Sequence, residues 1–139
     1  MKATINWLGN ALMQGESGSS HTVMVDGPES MGGLNQGMRP MELMLLSVGT
    51  CSTVDVISIL KKARQDVTDC CVEVDGERAD AVPAVFEKIH LNFKVSGNDL
   101  DENKVKRAVE LSAEKYCSAS IMLKKAGVEI SHSVEIIAA

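Results

Sequence analysis

The spacing of apolar residues changes several times along the chain, and each change marks an element. Ala3, Ile5 and Trp7 alternate with polar neighbours, as do Val23 and Val25. Residues 2–8 and 20–26 are therefore expected to be strands, with a third at 11–16. Residues 27–39 carry four glycines and a proline, the composition of a loop. Pro40 then opens a long segment that runs to about Ala63. Proline suits a first helical position because its missing N–H has no intrahelical partner there. Met41, Leu43, Leu45, Val48, Val54, Ile57 and Leu60 put apolar groups on nearly every side of this helix. Such a helix is expected to lie centrally, enclosed by a sheet or by a sheet and a partner subunit.

Residues 67–78 and 84–96 read as a strand pair around the turn at 78–83. In the second strand Val85, Ile89, Leu91, Phe93 and Val95 share one face, and Phe86, Lys88, His90, Asn92 and Lys94 the other. One dry face and one wet face predict an antiparallel sheet. Asp99 or Asp101 is placed to cap a second helix, with Val105, Ala108, Val109 and Ser112 on one side, running to about Tyr116. A new or bent helix is expected after Cys117, and a last strand over 128–137. This order of strands, helix, strands, helix, strand lacks regular βαβ alternation, so the expected fold class is α+β. With 139 residues and neither a repeat nor a linker, one domain over 1–139 is expected.

Composition narrows the function. Only four side chains are aromatic and eight are methionine, so aliphatic groups build the core and methionines fill its gaps. A net charge of -5 argues against a sequence-independent grip on nucleic acid or anionic lipid. The first residues alternate and form no export signal, and no apolar stretch is expected to approach the ~20 residues that cross a bilayer. Four cysteines in such a chain point to a reducing compartment, the cytoplasm.

The candidate chemistry lies in those cysteines. Cys51 sits in Ser47-Val48-Gly49-Thr50-Cys51-Ser52-Thr53, where small polar residues interrupt an apolar wall. Hydroxyls there can hydrogen-bond a thiolate; a buried, inert cysteine is the ordinary alternative. Cys117 follows Tyr116 at a break between helices, where the positive end of the next helix favours thiolate, with simple packing again the alternative. Cys70 and Cys71 are adjacent on a strand and point to opposite faces, Cys70 inward. No cysteine belongs to a CxxC motif or a spaced ligand set, so no zinc centre is expected. His21 and His90 are expected near solvent, and His132 half-buried beside Ile130 and Val134. No nucleophile elbow, phosphate loop or dinucleotide fingerprint is present.

Pro40-Met41-Glu42-Leu43 with the apolar helix through Gly49-Thr50-Cys51, and Ala113-Glu114-Lys115-Tyr116-Cys117-Ser118-Ala119-Ser120, resemble the two cysteine elements of the OsmC/Ohr family. The two are 66 residues apart, and the resemblance to the small, generic OsmC-like branch runs through essentially the whole chain. It implies an intertwined homodimer, with an antiparallel sheet wrapped on long central helices. It also implies thiol-dependent reduction of an organic hydroperoxide or other small hydrophobic substrate. Cys51 would then be the peroxidatic thiolate and Cys117 the resolving one, with an external dithiol, often a lipoylated protein in this family, as reductant. No metal or bound cofactor is implied.

The polar partners depart from the family pattern. Counted from Pro40, the catalytic glutamate falls on Met41, while this chain's glutamate is Glu42. The family's Gly-Arg element is matched locally by Gly15-Glu16, of opposite charge. Glu42 and Cys51 are nine residues apart, on opposite sides of a straight helix. Asp55 follows Cys51 by four residues and shares its face, where its charge would disfavour the thiolate unless a cation neutralised it. Arg39 is the candidate cation, ahead of Lys115 and Arg64. Two rival readings follow from these departures. One is a dimer whose unactivated thiols line a pocket for a small apolar ligand, and the other is a structural dimer with inert cysteines.

Overall fold

The computed structural model describes residues 1–139. The chain divides into two compact units, Met1–Met44 and Leu45–Ala139.

The first unit is an antiparallel meander of β1 (Ala3–Gly9), β2 (Leu12–Ser17) and β3 (Thr22–Asp26), in the order β1-β2-β3. All three expected strands are present. Gly9 and Asn10 turn the first hairpin with φ of 107° and 48°, the left-handed region that glycine and asparagine tolerate. The loop after β3 folds back on Asp26, whose Oδ2 accepts the backbone N–H groups of Leu34 (2.9 Å) and Gln36 (3.1 Å). Gly33 makes this return feasible, since a Cβ there would lie 1.9 Å from the Gly27 carbonyl oxygen. The meander exposes Ile5, Trp7 and Leu8, and Ile5, Met13, Val23, Val25 and Leu43 line an apolar cleft of about 530 Å³.

The second unit carries α1 (Pro40–Lys62, begun in the first), β4 (Asp66–Arg78), β5 (Phe86–Asn98), α2 (Glu102–Leu111), α3 (Ser118–Lys125) and β6 (Glu129–Ala138). Its sheet runs β4-β5-β6 with β5 central. Leu91, Phe93 and Val95 of β5 meet Val56 and Leu60 of α1 and Val105, Ala108 and Val109 of α2 in the buried core. The opposite face is polar: His90 hydrogen-bonds Ser131 and Ser133, and Lys94 donates to Glu73. Asp101, one of the two expected caps, closes the start of α2 by accepting from Asn103 and Lys104 N–H.

Four expectations are corrected. The α+β fold holds two three-stranded sheets rather than one, and the second is mixed. β5 and β6 pair in parallel, because the chain returns through α2 and α3, a helical crossover of the kind parallel pairing requires. Phe86 is buried and Val85 is 53% exposed, the reverse of simple alternation. The register slips between Glu77 and Arg78, so Phe86 pairs with Arg78 on the far side of a bulge and its ring turns inward over Gly76.

The third concerns the first of the two enclosures expected for α1, a sheet alone: Val48, Gly49, Ser52, Val56 and Leu60 are buried but Met44, Leu46 and Val54 are exposed in the single chain. The fourth concerns its hydropathy, for α1 is long and apolar enough to cross a bilayer by length and composition. Ser47, Gly49, Thr50, Ser52 and Thr53 interrupt its apolar run without lowering its mean hydropathy enough to exclude this.

Candidate functional site

The hydroxyls of α1 differ in where they point. Thr50 and Thr53 turn back to the carbonyls of Leu46 (2.7 Å) and Gly49 (2.8 Å) and are consumed within the helix. Ser52 is buried and instead donates across to Cys117 Sγ at 3.1 Å. Gly49 lets this part of α1 sit close to β4, since a Cβ there would lie 2.9 Å from Val74 Cγ2.

Cys117 is delivered by a widened turn. Its N–H reaches back five residues to the Ser112 carbonyl at 2.8 Å, a π-type turn over Ser112–Tyr116 between α2 and α3. The chain then straightens at Cys117 (φ -68°, ψ 105°), which becomes the N-cap of α3, its Sγ accepting the Ser120 N–H at 3.4 Å. Ser112 Oγ is shared between the Ser52 carbonyl (3.2 Å) and Asp55 Oδ2 (3.5 Å), tying the turn to α1.

Cys51 Sγ, Cys117 Sγ and an Asp55 carboxylate oxygen all lie within 4.8 Å of one another. Cys51 and Asp55 are part-exposed, and Cys117 is fully buried. Burial pushes the Cys117 thiol up. The Ser52 hydroxyl, the Ser120 hydroxyl and N–H, and Cys51 outweigh that and hold it below the ordinary 9.0. Cys51 goes the other way. Burial, then the shared proton and charge of Cys117, push it above 9.0 despite the N–H groups of Ala119 and Ser118. The first turn of α3 thus bears on both sulfurs, and Cys117 is the thiol of the pair whose thiolate is favoured.

Of the five candidate residues, Cys51, Asp55 and Cys117 come together. Arg39 and Glu42 belong to the first unit and have partners of their own. Glu42 Oε2 accepts the Arg39 N–H at 2.8 Å, which serves the start of α1, and the Arg39 guanidinium donates to the carbonyls of Asp26 (3.4 Å) and Gly37 (3.3 Å). Asp55 forms no ion pair; those of the chain are Lys94–Glu73, Lys106–Glu102 and Arg107–Glu110. Cys70 is half-buried and Cys71 exposed. Sequence reading missed Ser52 and Ser120 as partners of the Cys117 sulfur, and Ser112 as the partner of Asp55. The run of small hydroxyl residues around Cys51 was the available signal, but it did not say which hydroxyl faces a sulfur, or which sulfur.

A close dithiol between a core helix and a helix N-terminus, in an α+β scaffold, defines a thiol-redox class of protein. The OsmC-like protein family model matches residues 33–133, and the chain belongs to that family. It is 46% identical to protein YhfA of Escherichia coli K12 over 139 residues, covering all of each chain. A crystal structure of a hypothetical protein from Aquifex aeolicus is 31% identical, with a TM-score of 0.81 over 98% of this chain and 96% of that one. An organic hydroperoxide resistance protein OsmC from Legionella pneumophila shares the fold at 16% identity, with a TM-score of 0.70 over 96% of this chain and 95% of that one.

Proposed function

We propose that this protein is a cysteine-based peroxidase that reduces a small hydrophobic organic hydroperoxide. The observation that carries this is the proximity of Cys51 and Cys117, with the part-exposed sulfur on Cys51 and the buried one at a helix N-cap. Cys51 is the sulfur that a peroxide can reach. On attack, Cys51 gives up its proton and its sulfur takes the distal peroxide oxygen. The O–O bond breaks, the alkoxide takes up that proton and leaves as the alcohol, and Cys51 becomes a sulfenic acid. Cys117 then attacks Cys51 as it loses its own proton; the S–S bond forms, and the departing hydroxide takes that proton and leaves as water. An external dithiol returns both thiols by exchange.

The protein works in this reading as one OsmC-like domain, in a cytoplasmic homodimer. The exposed Leu46 and Val54 of α1, and Ile5 and Trp7 of β1, supply apolar surface for a second copy. Hydroperoxide consumption with a dithiol reductant tests the chemistry. Cys51→Ser is expected to abolish turnover, and Cys117→Ser to leave a sulfenic acid on Cys51 after one equivalent of peroxide. Turnover that survives Cys51→Ser removes Cys51 from the mechanism.

A second reading has its own support, the upward push that burial and Cys117 give the Cys51 thiol. A thiol held above the ordinary range reacts slowly with peroxide. The protein would then be a dimer that binds a small apolar molecule beside unactivated thiols. Peroxide reduction no faster than that of a free thiol, together with retained apolar ligand after purification, would favour it.

A further inference from the structure

We propose that the reduced dithiol pocket is also a binding site for a thiophilic divalent cation of the Zn²⁺ type, held by Cys51 Sγ, Cys117 Sγ and the Asp55 carboxylate. No spacing in the chain announces such a set, because two ligands sit four apart on α1 and the third caps α3. Folding brings the three ligand atoms within 4.8 Å of one another. Around tetrahedral Zn²⁺, with Zn–S of about 2.3 Å and Zn–O of about 2.0–2.2 Å, ligand atoms stand roughly 3.5–3.8 Å apart. Closing by about 1 Å falls to rotation of three short side chains on fixed backbone.

Three further observations fit a cation. Asp55, beside two ionisable sulfurs, forms no ion pair with a Lys or Arg. The ligands are already oriented from behind, Asp55 by Ser112 Oγ and Cys117 by Ser52 Oγ and the Ser120 N–H. The buried Ser120 hydroxyl has no partner other than the Cys117 sulfur, which leaves its lone pairs for a water in the open fourth position. Three protein ligands plus water is the pattern of an open zinc site rather than a closed structural one. Cys70 and Cys71 point to opposite faces of β4 and form no such set.

Binding exchanges protons for the metal. Two thiols and one carboxylate take up the dication, and two protons leave. The sulfurs serve either the metal or a disulfide, so oxidation of the pair ejects the ion. The inference needs only that the two sulfurs are close and reduced, and it stands whether or not the pair reduces peroxide.

Anaerobic titration of the whole reduced protein with Co²⁺ tests it. The expected result is one ion per chain, with a thiolate-to-cobalt charge-transfer band and the visible bands of tetrahedral Co²⁺, displaced by Zn²⁺ with about two protons released per ion in weak buffer. The diamide-oxidised wild type, which needs no substitution, is expected to give no spectrum. Asp55→Asn is expected to weaken binding at least about tenfold, and a Cys70→Ser/Cys71→Ser variant to bind as wild type does. Octahedral oxygen-only spectra, equal binding by oxidised protein, or unchanged affinity in Asp55→Asn would overturn the site.

Discussion

Ser52 Oγ lies 3.1 Å from Cys117 Sγ and donates to it, joining α1 to the start of α3 across 65 positions of sequence. The contact is buried, and it is the largest influence holding the Cys117 thiol down. Ser52→Ala is therefore expected to raise the Cys117 pKa. A hydrogen bond to a charged acceptor is worth about 1.5–3 kcal/mol, against about 0.5 kcal/mol gained in helix propensity. A net loss of roughly 1–2 kcal/mol is expected in urea unfolding above pH 9.0. The sign follows from the lowered value. Stability from the thiolate is fully present above the ordinary 9.0 and disappears as pH falls through the lowered folded value. The gap between Ser52→Ala and wild type should shrink on acidification. A constant gap would mean that Ser52 acts only through packing.

Exposure and ionisation oppose each other at Cys51 and Cys117, and labelling with a slow alkylating reagent shows which governs. Cys71 is exposed and should react first; Cys117 is fully buried and should react last, although it is the thiol whose thiolate is favoured. Cys70 is slowed by burial and by Asp69, which raise its pKa. Mass spectrometry of digests over time reads the order. Early labelling of Cys117 would mean that the turn over Ser112–Tyr116 opens readily in solution.

Phe86 and Val85 test the bulge. Phe86 is 7% exposed with its ring against Gly76, so Phe86→Ala should cost about 3–5 kcal/mol in denaturant unfolding. Val85→Thr, at a 53% exposed site, should change stability by no more than about 0.5 kcal/mol. Gly76→Ala would put a Cβ 2.5 Å from Phe86 Cε1 and 2.8 Å from Leu45 Cδ2, and should cost about 1–3 kcal/mol by overpacking. Simple alternation predicts the opposite ranking of Phe86 and Val85.

That inversion shows where the sequence was readable. Local pattern located the six strands and the three α-helices but not the short helical turn at Glu29–Met31, and the Asp101 cap is local too. It misplaced Phe86 because a bulge depends on the partner strand, and one extra residue reverses every face beyond it. The parallel pairing of β6 was hidden for the same reason, since strand direction is set by the crossover and leaves no mark within the strand. At the site, the i, i+4 relation of Cys51 and Asp55 was legible as helix geometry. The meeting with Cys117 entered only through family resemblance. Ser52 and Ser112 were not legible, because a serine looks the same whether it bonds its own helix or a sulfur 65 residues away.

Asp26 offers a pH test in the first unit, independent of the cysteines. Its carboxylate accepts the Gln36 and Leu34 N–H groups, which with Gly27 N–H and nearby Arg39 hold its pKa below the ordinary 3.8 against the effect of burial. A carboxylate depressed in the folded state stabilises it fully above 3.8, and that contribution is lost as pH falls through the lowered value. Asp26→Asn keeps the size but weakens both acceptor bonds, so its Tm should fall below that of wild type at neutral pH. The two Tm values should converge once acid has protonated Asp26 in the wild type. Hydrogen exchange should localise the change, with the Leu34 and Gln36 amides losing protection in the variant while the β5 amides keep theirs. Equal protection at Leu34 and Gln36 in both proteins would show that the loop is held by Gly33 and its neighbours rather than by the carboxylate.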